Sequence, residues 1–155
     1  MNRESVQEWI NYANEDLEGG KLLFRNSPEK FKTLVCFHMQ QSVEKYLKAY
    51  LVANNIDIEP DRKDHSMAKL VEWSKECDKT FNVLYDLNIT KLTKYAVRSR
   101  YPGSEPPTLE DEKEAISIAE QVRPFVLDKI KDISTNKTHD KEPDKNPTDT
   151  DIDFR

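Results

Sequence analysis

The chain has 155 residues, of which 34% are charged and only 36% hydrophobic, and a formal net charge of −5. That length favours one domain, and so few apolar residues must be concentrated if they are to build a core. No run of 18 apolar residues occurs and Met1-Asn2-Arg3-Glu4-Ser5 has no apolar stretch behind it, so neither a bilayer span nor a secretory signal is expected, and the expected location is cytoplasmic.

Abundant Glu, Lys, Leu and Ala with only three glycines predict helices throughout. The first runs from about Ser5 to Phe24. Ser5 and Glu8 read as a capping box, and Val6, Trp9, Ile10, Ala13, Leu17 and Phe24 form the apolar face. Gly19-Gly20 either admits a close neighbour or marks a kink. The second helix is expected to start at Ser27-Pro28, as cap and first residue, and to carry Phe31, Leu34, Val35, His38, Ser42, Tyr46 and Ala49, widened by Phe37, Val43, Leu47, Tyr50 and Leu51. A stripe that wide implies contacts on two sides, one with the first helix packed antiparallel and the other with a subunit partner.

A polar connector, Asp57 to Asp64, precedes a short third helix capped by Ser66, with Met67, Leu70, Val71, Ser74 and Cys77 on its stripe. A long fourth helix is predicted from about Lys79 to Arg98, with Phe81, Leu84, Leu87, Leu92 and Tyr95 turned inward. Arg100-Tyr101-Pro102-Gly103-Ser104-Glu105-Pro106-Pro107 cannot be regular structure. Thr108 then caps a last helix whose acidic first turn suits the helix dipole and whose stripe is Ala115, Ile116, Ala119, Val122, Val126 and Ile130.

Residues 134–155 hold four basic and six acidic residues and only Ile152 and Phe154 as apolar ones. They read as a disordered acidic tail. The organisation is therefore an all-α antiparallel bundle, residues 1–133, of four long helices and one short one, followed by a tail over 134–155. With the tail's −2 removed from the total of −5, the bundle keeps −3, which argues against broad duplex binding driven by net charge. Cys36 and Cys77 stand far apart, and no P-loop or GxGxxG can be assembled from Gly19, Gly20 and Gly103. No metal site and no cofactor are expected.

Several segments together resemble a known family. The first helix carries Ala13-Asn14-Glu15-Asp16-Leu17, and the second carries Gln40-Gln41-Ser42-Val43-Glu44-Lys45-Tyr46-Leu47-Lys48-Ala49. These are followed by Asp64-His65-Ser66-Met67-Ala68-Lys69-Leu70, by Arg100-Tyr101-Pro102, and by a final helix ending Ala119-Glu120-Gln121-Val122-Arg123-Pro124-Phe125-Val126. In order and spacing this is similar to the HEPN domain (higher eukaryotes and prokaryotes nucleotide-binding), over about Glu4 to Lys131. The resemblance implies a helical bundle that forms a homodimer. It also implies nucleotide or RNA binding and work beside a minimal nucleotidyltransferase in a toxin–antitoxin pair. Many members of the family are metal-independent ribonucleases that use an Arg followed four to six residues later by a His. Here Arg98 and Arg100 have no His in that window, and Arg62 precedes His65 by three residues.

The candidate binding residues are Arg98, Arg100, Tyr101, Gln41 and Lys45. Two guanidiniums and a phenol suit bidentate phosphate contact and base stacking, whereas the plainer reading pairs an Arg with Asp16 or Glu44. Gln41, on the apolar side of its helix, is expected to be buried and bonded, and Lys45 shares its face one turn on. Lys91, Lys94, Arg98 and Arg100 make a modest basic stripe. Arg100 and His65 are the weak catalytic candidates, with His65 more naturally a structural hydrogen-bonding group and His38 a core or interface histidine. Three functions follow: a binding component without efficient catalysis, a ribonuclease using Arg100 and His65, or a structural dimerisation module.

Overall fold

A computed structural model of the chain describes residues 3–58, 66–96 and 105–139. Among the described residues every regular element is helical: α1 (Arg3–Asn26), α2 (Lys32–Ala53), α3 (Met67–Cys77), two 3₁₀ segments (Lys79–Leu87 and Ile89–Tyr95) and α4 (Leu109–His139).

The predicted fourth long helix is corrected. Asn88 adopts left-handed backbone, φ 61° and ψ 34°, which a right-handed helix cannot absorb. On either side of that break Phe81 and Leu84, then Ile89, Leu92 and Tyr95, turn inward at intervals of three, the period of a 3₁₀ helix. The described bundle therefore has three long α-helices and a short one.

Helix ends also differ. Ser5 is not a cap, since α1 already begins at Arg3. The second helix starts at Lys32 rather than Pro28. Ser27 Oγ accepts from the Lys30 N–H at 3.3 Å, and Phe31 at the N-cap is non-helical, with φ −111° and ψ 23°. Those residues reverse the chain so that α2 returns antiparallel along α1. Two predicted caps do form. Ser66 Oγ accepts from the Lys69 N–H at 3.5 Å. Thr108 Oγ1 accepts from the Asp111 N–H at 3.0 Å while Asp111 Oδ2 accepts from the Thr108 N–H at 2.9 Å, a reciprocal capping box. The last helix continues to His139, past the boundary drawn at Ser134.

The central element is α2. It packs against α1, α4, α3 and the second 3₁₀ segment, so both sides of its wide apolar stripe are covered by this chain itself and no subunit partner is needed to explain it. Its core contributions are Val35, Cys36, Met39, Val43, Tyr46, Leu47, Ala49, Tyr50 and Leu51. The Phe81 ring lies 4.3 Å from that of Tyr50 and 5.0 Å from that of Phe125, tying α2, the first 3₁₀ segment and α4 together. Gly20 settles the question posed by the glycine pair. A Cβ there would overlap Met39 Cε and come within 3.2 Å of His38 Cβ, whereas a Cβ at Gly19 would meet nothing within 4 Å. Close approach of α1 to α2 is the reason for Gly20.

Candidate functional site

Polar side chains run along two sides of α2. Facing α1, Asp16 is the hub. Its Oδ1 lies 2.8 Å from His38 Nδ1 and its Oδ2 2.5 Å from Lys45 Nζ. An ionised carboxylate only accepts, so the His38 proton is on Nδ1. Burial alone would raise the Asp16 carboxyl, but the hydrogen bonds from His38 and Lys45 outweigh it and hold the group below its ordinary value. Beside this hub Ser42 Oγ donates to the Ala13 carbonyl at 2.8 Å, and the Tyr46 hydroxyl donates to Asn14 Oδ1. His38 is thus not fully buried in the core. It is a half-buried strut between two helices.

On the adjoining side the chain buries a carboxylate. Gln40 and Glu44 are 0% and 4% exposed, and a charge so placed must be bonded. Gln40 Nε2 donates to Glu44 Oε1 at 2.8 Å, Lys48 Nζ donates to Glu44 Oε2 at 2.6 Å, and Gln41 Nε2 donates to Gln40 Oε1 at 2.7 Å. Gln41, predicted to be the buried amide, is only half-buried. The buried one is its neighbour Gln40, because one residue of helix rotates a side chain by about 100°. The Lys48 ammonium also stands 5.6 Å from the centre of the Trp9 ring, and Trp9 lines a shallow hollow of about 370 Å³ with Val52, Ile56 and Ile58.

A third cluster joins α2, the second 3₁₀ segment and α4. Cys36, Tyr95 and Glu112 are all buried. Among the described residues neither Glu112 carboxylate oxygen has a hydrogen-bond partner, and the Tyr95 hydroxyl lies beside the Cys36 thiol. Burial pushes Glu112 up to about 7, against the pull of Lys32 and with the push of Glu29. It likewise pushes Cys36 up to about 12, with Glu112 and Asp111 adding to it. Glu112 was read from sequence only as a dipole-pairing acid. The missed signal is its register, three residues before Ala115 and seven before Ala119, which places it on the apolar stripe.

Of the predicted site residues, Gln41 and Lys45 are described, and the structure gives both of them protein partners. Arg98, Arg100, Tyr101 and His65 lie outside the described residues. Lys91, from the predicted basic stripe, bonds Glu114 at 2.6 Å and lies 3.7 Å from Asp111, so it is a strut to α4. Among the described residues no cluster of three or more His, Cys, Asp or Glu could hold a metal ion, and no helix is long and apolar enough to cross a membrane.

The family model for the HEPN domain matches residues 6–131. Among solved structures, the crystal structure of ST0689, an archaeal HEPN homologue, is similar over 81% of this chain and 97% of that one, with a TM-score of 0.62 and 24% sequence identity. That likeness is one of fold. No curated protein matches the chain.

Proposed function

Because the chain belongs to the HEPN domain family, we propose that it is the nucleotide- or RNA-binding member of a toxin–antitoxin type of two-component system. In this reading it works in the cytoplasm as a homodimer beside a minimal nucleotidyltransferase, without efficient catalysis of its own. The observation that carries this reading is how the polar groups of α2 are used. Cys36, Gln40 and Glu44 succeed one another at four-residue steps along one side of the helix, and Tyr95 packs beside Cys36 just before the arginine-bearing residues 97–104. That side holds amides, a carboxylate and an ammonium, groups that orient and neutralise. The described imidazole, His38, is committed to Asp16 elsewhere. Cleaving RNA requires a group that accepts the 2′-hydroxyl proton, and a guanidinium stays protonated. Arg98 and Arg100, with no His four to six residues on, suit phosphate binding better than proton transfer. For the homodimer, the support is the exposure of Tyr12 and Leu22 on α1, 53% and 52%.

The test is a titration of the full chain with labelled tRNA and with nucleotides at several salt concentrations. Affinity should fall as salt rises, and Arg98→Ala/Arg100→Ala should weaken it by about tenfold or more. Cleavage by the wild type that disappears in Arg100→Ala and in His65→Ala would replace this reading with the ribonuclease one. Identical binding curves for wild type and double variant would leave a dimerisation module.

A further inference from the structure

Glu112 is a group that the proposed function does not use. It stands in the first turn of α4, is 0% exposed, and among the described residues neither of its oxygens has a hydrogen-bond partner. Burial penalises an ionised carboxylate in that position far more than a neutral one. The dipole of α4 favours a negative charge in its first turn and offsets part of that penalty, but the side chains around Glu112 compensate little. From α2, Lys32 faces it but is paired with Glu29 at 3.2 Å, and Glu29 itself repels it. Cys36, also from α2, is buried and stays a thiol. From the second 3₁₀ segment come the Tyr95 hydroxyl, pushed up by burial, Cys36 and Asp111, Lys94 over the Tyr95 ring at 5.4 Å, and Lys91, bound to Glu114. On α4, Asp111 closes the capping box with Thr108.

We propose that Glu112 is a proton-operated latch: protonated, it lets the first turn of α4 lie against Tyr95 and Cys36, and on ionising it loosens that turn from α2 and the second 3₁₀ segment. The two elements it joins are those that carry the two ends of residues 97–104, where Arg98, Arg100 and Tyr101 stand. The latch thereby makes the packing of these two flanking elements sensitive to pH near neutrality. This goes beyond the proposed binding role and holds whether or not the segment meets a nucleic acid.

The sign follows from linkage. An acid raised from 4.5 to about 7 on folding stabilises the folded state relative to higher pH, fully so below 4.5, and that stability is lost as pH rises through about 7. Between about pH 5.5 and about pH 8.5 the folded-to-unfolded ratio of the wild type should fall about 30-fold through this group alone. Glu112→Gln, a neutral isostere, should lack that part of the fall. Urea melts of the full chain at both pH values read the ratio directly. Amide hydrogen exchange over Leu109–Ala115, corrected for intrinsic rate, should speed up above neutrality in the wild type and not in the variant. Should Glu112→Gln fail to fold, a carbon-detected NMR titration of the wild-type Glu112 side chain decides the matter. A midpoint near neutrality supports the latch. A midpoint below about 5, within the ordinary range of a glutamate, or parallel falls in wild type and Glu112→Gln, overturns it.

Discussion

Gly19 and Gly20 are adjacent in α1 yet face opposite environments, so one substitution made twice separates helix propensity from packing. Replacing a helical glycine by alanine removes backbone entropy from the unfolded chain and is worth about 1 kcal/mol. At Gly19 nothing within 4 Å of the new Cβ opposes that gain, so Gly19→Ala should stabilise by about 1 kcal/mol. At Gly20 the same gain meets an overlap with Met39 Cε and a 3.2 Å approach to His38 Cβ. Met39 is flexible, but it is 0% exposed, and protein interiors are close-packed, so overpacking of this kind costs about 1–3 kcal/mol. His38 Cβ is fixed to the α2 backbone, so relief there means moving the helix itself. Gly20→Ala should therefore sit about 1–3 kcal/mol below Gly19→Ala in urea melts, at or under wild type. In a Met39→Ala background most of the Gly20→Ala penalty should vanish, as a thermodynamic cycle would show. Equal stabilisation by both single substitutions, or a Gly20→Ala penalty unchanged in the Met39→Ala background, would refute the close-approach argument.

Asp16→Asn should destabilise by about 1–2 kcal/mol at neutral pH, because it turns two charge-assisted hydrogen bonds from His38 and Lys45 into weaker ones. The Asp16 carboxyl titrates below its ordinary 3.8 in the folded chain. Its contribution is therefore present above that value and lost as pH falls through the folded one, so melts of the two proteins should converge in acid. Phe81→Ala removes the ring that touches both Tyr50 and Phe125. It should lower stability by about 3–5 kcal/mol, with loss of the denaturation midpoint but little change in slope. Thr108→Ala opens the capping box of α4 and should cost about 1 kcal/mol, with faster exchange of the Asp111 amide as its local signature.

Much of the helical scheme was legible because it depends on local chemistry. Ser66 and Thr108 announce helix starts through side chains that reach their own backbone a few residues on, and the spacing of Val6, Ile10, Ala13 and Leu17 shows a buried face. The predicted helix over Lys79–Arg98 failed because the inward residues were matched to an α period. Intervals of three, broken by a left-handed Asn88, satisfy a 3₁₀ winding as well, and only packing against α2, α3 and α4 selects between them. The site was less legible still. Gln40 and Gln41 are chemically identical neighbours, and which of them is buried depends on the angle at which α2 meets the elements around it.

The residue pattern by itself determined the all-helical class, the family, two of the caps and most of the core, since periodicity and capping involve neighbours within one or two turns. Tertiary structure alone decided that Asp16 would hold His38 and Lys45, that Gly20 rather than Gly19 would meet Met39, and that Glu112 would lie buried without a hydrogen-bond partner among the described residues. Those outcomes depend on residues 19 to 83 positions apart being brought together, and burial, which sets the worth of a charge or a methyl group, exists only once they have been.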